Sequence, residues 1–227
     1  MPVAAIAVRE AIAFVRKTDN ISDIGEIMKT ATEIRNRIET LPRGAPFTTR
    51  EFSGIGARAS VDQALSRLTR SGHIARVARG VFVRPKESRY VGTVPPEPAM
   101  VAEAVARSTG AEIQIHGAEA ARRFGFSTQV PMRSIFHTSG ASRRLRIGNL
   151  SVELRRTSPR KLALAGRPAG EALMALWYLG KEQVGPGTVA QLRSRLPAGE
   201  FEALRGAVGV MPSWMAEAFR QYGKSES

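Results

Sequence analysis

Hydrophobic positions along the chain fall into short helical and strand-like runs, separated by glycine, proline and polar turns. Pro2–Val15 is apolar around Arg9 and Glu10, and Ala4, Ile6, Ala7, Ala11 and Phe14 share one stripe of an amphipathic helix. Thr18–Glu26 breaks that pattern with polar residues and Gly25. Residues 1–27 are therefore a start-site extension or an arm packed on the body. A clean helix is predicted over Thr30–Leu41, with Ala31, Ile34, Ile38 and Leu41 on one face and Pro42, Gly44 and Pro46 ending it. Phe47 is extended. Thr48 or Thr49 then caps a second helix, with Glu51 in its first turn as in a capping box, and Gly54 and Gly56 stop it after Phe52.

A turn carrying Arg58 leads into a third helix, Ser60–Ser71, closed by Gly72. Val61, Ala64, Leu65 and Leu68 form its inward stripe, while Ser60, Gln63, Arg67 and Arg70 form a polar, basic stripe suited to base edges and phosphates. His73–Val83 reads as two short strands around Arg79-Gly80, where glycine supplies the positive φ of a tight hairpin. Arg76, Arg79 and Arg84 line this hairpin. Helix, helix, basic helix, basic hairpin is the order of a winged helix-turn-helix over residues 28–90.

Tyr90–Pro98 holds three prolines in four residues, which deny helix and sheet-interior pairing, so residues 91–98 are predicted to be a stiff linker. Beyond it, residues 99–222 read as a larger mixed domain, making the whole chain α+β. Helices are predicted over Ala99–Ser108, Gly117–Phe124, Gly170–Leu179, Thr188–Leu196 and Gly199–Ala207. Strands are predicted over Glu112–His116, Val130–Thr138 and Leu145–Leu154. Ser158-Pro159 opens a further helix as N-cap and first residue, and Gly223–Ser227 reads as a frayed end.

Composition narrows the chemistry. The 227 residues contain no cysteine, which excludes a disulfide scaffold, a thiolate zinc site and a cysteine nucleophile, and is compatible with a reducing cytoplasm. No run reaches the roughly 18 apolar residues of a membrane span, and the N-terminus lacks the marks of a signal peptide. The formal charge of +14 points to a polyanion, with a merely soluble basic protein as the bland alternative. That charge is concentrated in two windows. Arg43–Arg89 carries ten Lys and Arg against Glu51, Asp62 and Glu87, and Ala120–Lys161 carries ten against Glu153 alone.

In the second window, Arg143, Arg144, Arg155, Arg156, Arg160 and Lys161 make a second backbone-contacting surface on DNA or an RNA-binding patch. The alternative is that several of these arginines pair with Glu171, Glu200 and Glu202. Aromatics are only 6% and sit mostly in apolar runs, which favours duplex DNA over stacking on single strands. Catalysis finds little support. Asp19, Asp23 and Asp62 are the only aspartates and all precede the linker; His73, His116 and His137 lack ligand spacing; and no phosphate-loop motif occurs. No metal site, cofactor or catalytic residue is predicted.

The run Phe47-Thr48-Thr49-Arg50-Glu51-Phe52, with Ala59–Leu68 and Gly72–Phe82, resembles the N-terminal domain of AbiEi-type antitoxins of bacterial type IV toxin–antitoxin systems. Ser127–Pro131 and Ser158–Gly166 are similar to that family's second domain, so the resemblance covers about Thr30–Tyr178. It implies a two-domain cytoplasmic repressor whose winged helix binds inverted repeats at its own promoter. It also implies a functional pairing with a nucleotidyltransferase-like toxin, without membrane involvement. The residue pattern assigns Gln63 and Arg67 to base edges, and Ser60, Thr48 and Thr49 to the backbone. Arg58 and Arg70 flank them, and Arg76 and Arg79 reach phosphate or the minor groove. The alternative function is a non-enzymatic RNA-binding or toxin-docking module.

Overall fold

A computed structural model describes residues 21–89 and 92–225, in two compact units, Met1–Pro96 and Glu97–Ser227. The helix expected over Pro2–Val15 lies outside the described residues. Among the described residues no helix is long and apolar enough to cross a membrane.

The first described element of the N-terminal unit is α1, Ile21–Thr40, which starts upstream of the expected Thr30. Propensity alone places a break at Gly25, but one glycine costs a helix only about 1 kcal/mol, and the helix runs through it. Thr30, Ile34 and Ile38, four residues apart, are its buried row. β1, Pro46–Thr48, precedes a single 3-10 turn, Thr49–Phe52, in place of a full second helix. Thr48 N–H donates to Glu51 Oε1 at 2.8 Å, so the capping box is made although only one turn follows it. α2 spans Arg58–Arg70, which moves Arg58 out of the expected turn and into the helix. Gly72, at φ +76°, reverses the chain after α2, and His73 N–H donates to Leu68 O at 3.0 Å.

β2, Ala75–Ala78, and β3, Val81–Val83, form the predicted hairpin around Arg79-Gly80, with Gly80 at φ +74°. β1 adds to β3, giving a three-stranded antiparallel sheet of order β1-β3-β2. Helix, strand, short turn, helix and hairpin in this order have the topology of a winged helix-turn-helix. Its core is Ile34, Ile38, Phe47, Phe52, Val61, Ala64, Leu65, Ile74 and Phe82. Phe47 sits at its centre, edge-on to Phe52 at 5.6 Å and stacked on Phe82 at 6.0 Å. Truncating such a buried ring costs about 3–5 kcal/mol. Two-residue strands β4, Glu87–Ser88, and β5, Gly92–Thr93, pair back on each other, which leaves Val94–Glu97 without regular structure.

The C-terminal unit opens with α3, Pro98–Thr109, ended by Gly110 at φ +66°. Its four-stranded sheet contains β6, Ile113–Ile115; β7, Ser134–Thr138; β8, Arg143–Ile147; and β9, Leu150–Arg156. The order is β6-β7-β9-β8; β7 and β9 run parallel and the other pairs antiparallel. The single strand expected over Leu145–Leu154 is thus a hairpin turned at Gly148, φ +57°. α3 packs against β6, β7 and β9.

The second core is helical. α4, Gly117–Arg123, packs on α5, Pro168–Leu179, and α6, Pro186–Arg195, α7, Ala198–Gly206, and α8, Ser213–Ser225, close over them. The helix expected at Ser158-Pro159 is one 3-10 turn, Pro159–Lys161. α8 is absent from the sequence reading, and it carries the chain in helical form to Ser225 where fraying was expected. Met215, Phe219 and Tyr222 are its buried row.

Candidate nucleic-acid interface

Within the N-terminal unit a recess of about 390 Å³ is bounded by α2, the 3-10 turn and the hairpin. Thr49, Arg58, Arg70, Arg76 and Arg79 line it, with Asp62, Ser66 and Thr69 among them. The local sequence explains the gathering. Thr49 N–H reaches Gly80 O at 3.4 Å, tying the hairpin tip to the turn before α2. Phe82, 8% exposed, anchors the hairpin in the core and also lines the recess. Ala78 pairs with Val81 and Arg76 with Phe82, so Val77 is an extra residue that bends β2 next to the tip.

The expected site residues do not all meet there. Arg58 Nε pairs with Asp62 Oδ2 at 3.0 Å, with the side chains 78% and 52% exposed. Such a pair one helical turn apart contributes only about 0.3–0.5 kcal/mol and yields readily to a phosphate. Ser60 and Gln63 are half-buried; neither they nor Arg67 lines the recess. Thr48 is buried, and its N–H and hydroxyl both turn to Glu51. Arg84, read as a hairpin residue, instead donates through Nη1 to Glu39 O at 2.7 Å and Leu41 O at 2.6 Å, closing the C-terminal end of α1. Asp62, Ser66 and Thr69 were missed as lining residues. For Asp62 and Ser66 the signal was present, because Arg58, Asp62, Ser66 and Arg70 recur every four residues.

The second basic window is more entangled. On β9, Glu153 lies between Arg155 at 3.0 Å and Arg144, opposite it on β8, at 3.7 Å. The Arg155 side chain, by hydrogen bonding, holds the Glu153 carboxyl below its ordinary range. Arg160 donates to Val210 O at 3.0 Å and Met211 O at 3.1 Å, and the Lys161 ammonium lies 5.1 Å from the Trp177 ring centre. Arg143 and Arg156 are exposed on β8 and β9. Of the acids considered as partners, Glu171 takes Arg123, Glu200 takes Arg167, and Glu202 takes Arg205 on its own helix.

β6–β7 pairing brings together two histidines that are 21 positions apart in sequence. The His116 and His137 rings stack at 5.1 Å, and Tyr178 meets His116 edge-on at 6.1 Å. Ala118 N–H donates to His116 Nδ1 at 3.2 Å, so His116 caps α4 as a neutral imidazole. Burial, then the charges of Arg155 and Lys161, lower its pKa. Burial, with His116, Lys161 and Arg155, pushes His137 down to about 4. Among the described residues no three His, Asp or Glu side chains are grouped to hold a metal ion. A larger, mainly apolar recess of about 610 Å³ lies in the same unit, lined in part by Pro98, His116, Val130, Met132 and Phe136.

Comparison with known proteins adds one match. A family model described as a family of unknown function (DUF6088) matches residues 33–202. No curated protein and no solved structure matches the chain.

Proposed function

The chain belongs to DUF6088, a family of unknown function, and for this member of it we propose a double-stranded DNA-binding transcriptional repressor. The observation that carries the reading is the recess that gathers Arg58, Arg70, Arg76 and Arg79 between a helix and a hairpin. A helix of this kind enters the major groove, and the hairpin beside it meets phosphate or the minor groove. Four guanidiniums in one concavity suit a polyanion with a regular backbone. Duplex rather than single-stranded nucleic acid is favoured because Tyr178, in the other unit, is the only large aromatic exposed among the described residues, and single strands bind by stacking on aromatics.

The resemblance to AbiEi-type antitoxins extends the proposal. The repressor acts in the cytoplasm on inverted repeats at its own promoter, as the antitoxin partner of a nucleotidyltransferase-like toxin. Arg143 and Arg156 of the second unit supply further backbone contacts. A gel-shift series with the full chain on its upstream DNA and on scrambled duplex tests the reading. It predicts preference for the upstream DNA and a steep loss of affinity with salt. Equal affinity for both duplexes, or affinity indifferent to salt, overturns it.

A further inference from the structure

The basic stripe expected to meet base edges and phosphates was Ser60, Gln63, Arg67 and Arg70, with Gln63 and Arg67 on the bases, yet only Arg70 of these lines the recess. The side of α2 that meets the hairpin carries Arg58, Asp62, Ser66 and Arg70, one turn apart. Asp62 is the one carboxylate there, among four arginines. Its partner is Arg58, one turn earlier on the same row, in an exposed pair.

That position has a consequence for any duplex entering the recess. Arg58 is attracted to a backbone phosphate, and once it makes that contact Asp62 gives up its partner. A carboxylate beside phosphates is repelled, and it accepts hydrogen bonds only. It is satisfied by a donor, and in the major groove the base-edge donors are the exocyclic amino groups of cytosine and adenine. Guanine O6 and N7 and thymine O4 present acceptors, which leave Asp62 unpaired and repelled. Resting on the repressor reading, we infer that Asp62 is a specificity-determining residue that admits an amino-bearing base at one position of each half-site and rejects the others. Ser66 and Arg70 continue the same row one and two turns further along α2. The carboxylate lowers affinity for DNA in general and raises discrimination, which is how a repulsive element confers specificity.

The test is selection of binding sites from a random duplex library with the full chain, followed by gel shifts on the selected site and on its single-base variants. Wild-type protein is expected to enrich cytosine or adenine at one position, with variants there bound about ten- to hundredfold more weakly. The selected base distinguishes the two amino donors. Asp62→Ala is expected to erase that position's preference while binding scrambled duplex at least as tightly as wild type. Asp62→Asn, which adds a donor, is expected to admit guanine or thymine there. Asp62 is half exposed, so both variants keep the fold, checked by an unchanged melting temperature. An unchanged preference in both variants, with selective binding by wild type intact, overturns the assignment of Asp62 alone. A wild-type chain that selects no sequence overturns the repressor reading and this inference with it.

Discussion

Gly56 abuts Thr30 of α1: a β-carbon on the glycine would stand 2.7 Å from the threonine Oγ1 and 2.9 Å from its Cγ2. Thr30 is 5% exposed and branched at Cβ, so rotating it exchanges one clash for another. The contact seats the turn before α2 directly on α1 and thereby sets where α2 starts.

Gly56→Ala is therefore expected to destabilise the N-terminal unit by about 1–3 kcal/mol. Thermal denaturation should show its midpoint falling by at least about 4 °C. A variant as stable as wild type would mean that the turn moves away from α1 without penalty.

Arg79, at the hairpin tip, meets phosphate or the minor groove in the proposed complex, away from the major-groove base edges. Arg79→Ala is expected to weaken upstream and scrambled duplex by the same factor. It should also reduce the slope of log affinity against log salt by about one. Filter binding across a salt series reads both quantities, and a loss confined to the upstream duplex would assign Arg79 to base readout instead.

Stability of the C-terminal unit should depend on pH through His137. The folded protein holds it at about 4 against an ordinary 6.5, by burial first, then by repulsion from the stacked His116 ring whenever that ring is protonated and from the charges of Lys161 and Arg155. Between these values the unfolded chain takes up a proton that the native state refuses. The stability from this site is complete above about pH 6.5 and is lost progressively as pH falls toward about 4. His116, lowered in the same direction, adds to the loss. Urea midpoints from pH 7 to pH 4 should fall for wild type and fall less steeply for His137→Gln; parallel curves would contradict the account.

Arg160 was read as a nucleic-acid residue, and it also hydrogen-bonds the carbonyls of Val210 and Met211. Arg160→Ala is expected to destabilise the C-terminal unit by about 1–2 kcal/mol, since these bonds are charge-assisted, one exposed and one part-buried. Urea unfolding measures that loss, and Arg160→Lys, which cannot bridge two carbonyls with one planar group, should recover only part of it. Full stability in the alanine variant would leave phosphate contact as the better role for this residue.

Where side-chain period and turn chemistry agree, local reading reached the right elements. Val61, Ala64 and Leu65 face inward as their spacing requires, and Gly80 turns the hairpin at positive φ. It failed where two periods abut. Across Gly148 the buried positions change from odd, Leu145 and Ile147, to even, Val152 and Leu154. That parity change marks two strands, but alternating hydrophobicity on each side reads as one. Ser158 and Pro159 take the N-cap and first positions as read, but the serine side chain makes no capping hydrogen bond, and only one turn forms. α8 was legible in Met215, Phe219 and Tyr222 but carried no strong start signal.

The sequence by itself determined the two basic windows, the α+β class and the succession of α1, α2 and hairpin in the N-terminal unit. These follow from charge, period and glycine conformation, all local properties. Only the tertiary structure decided which side of α2 meets the hairpin, that Arg84 serves the end of α1, and that His116 and His137 stack. Each of these depends on contacts between residues distant in the chain. Those contacts are chosen by the burial of a shared core around Phe47 in one unit and by the pairing of β6 with β7 in the other.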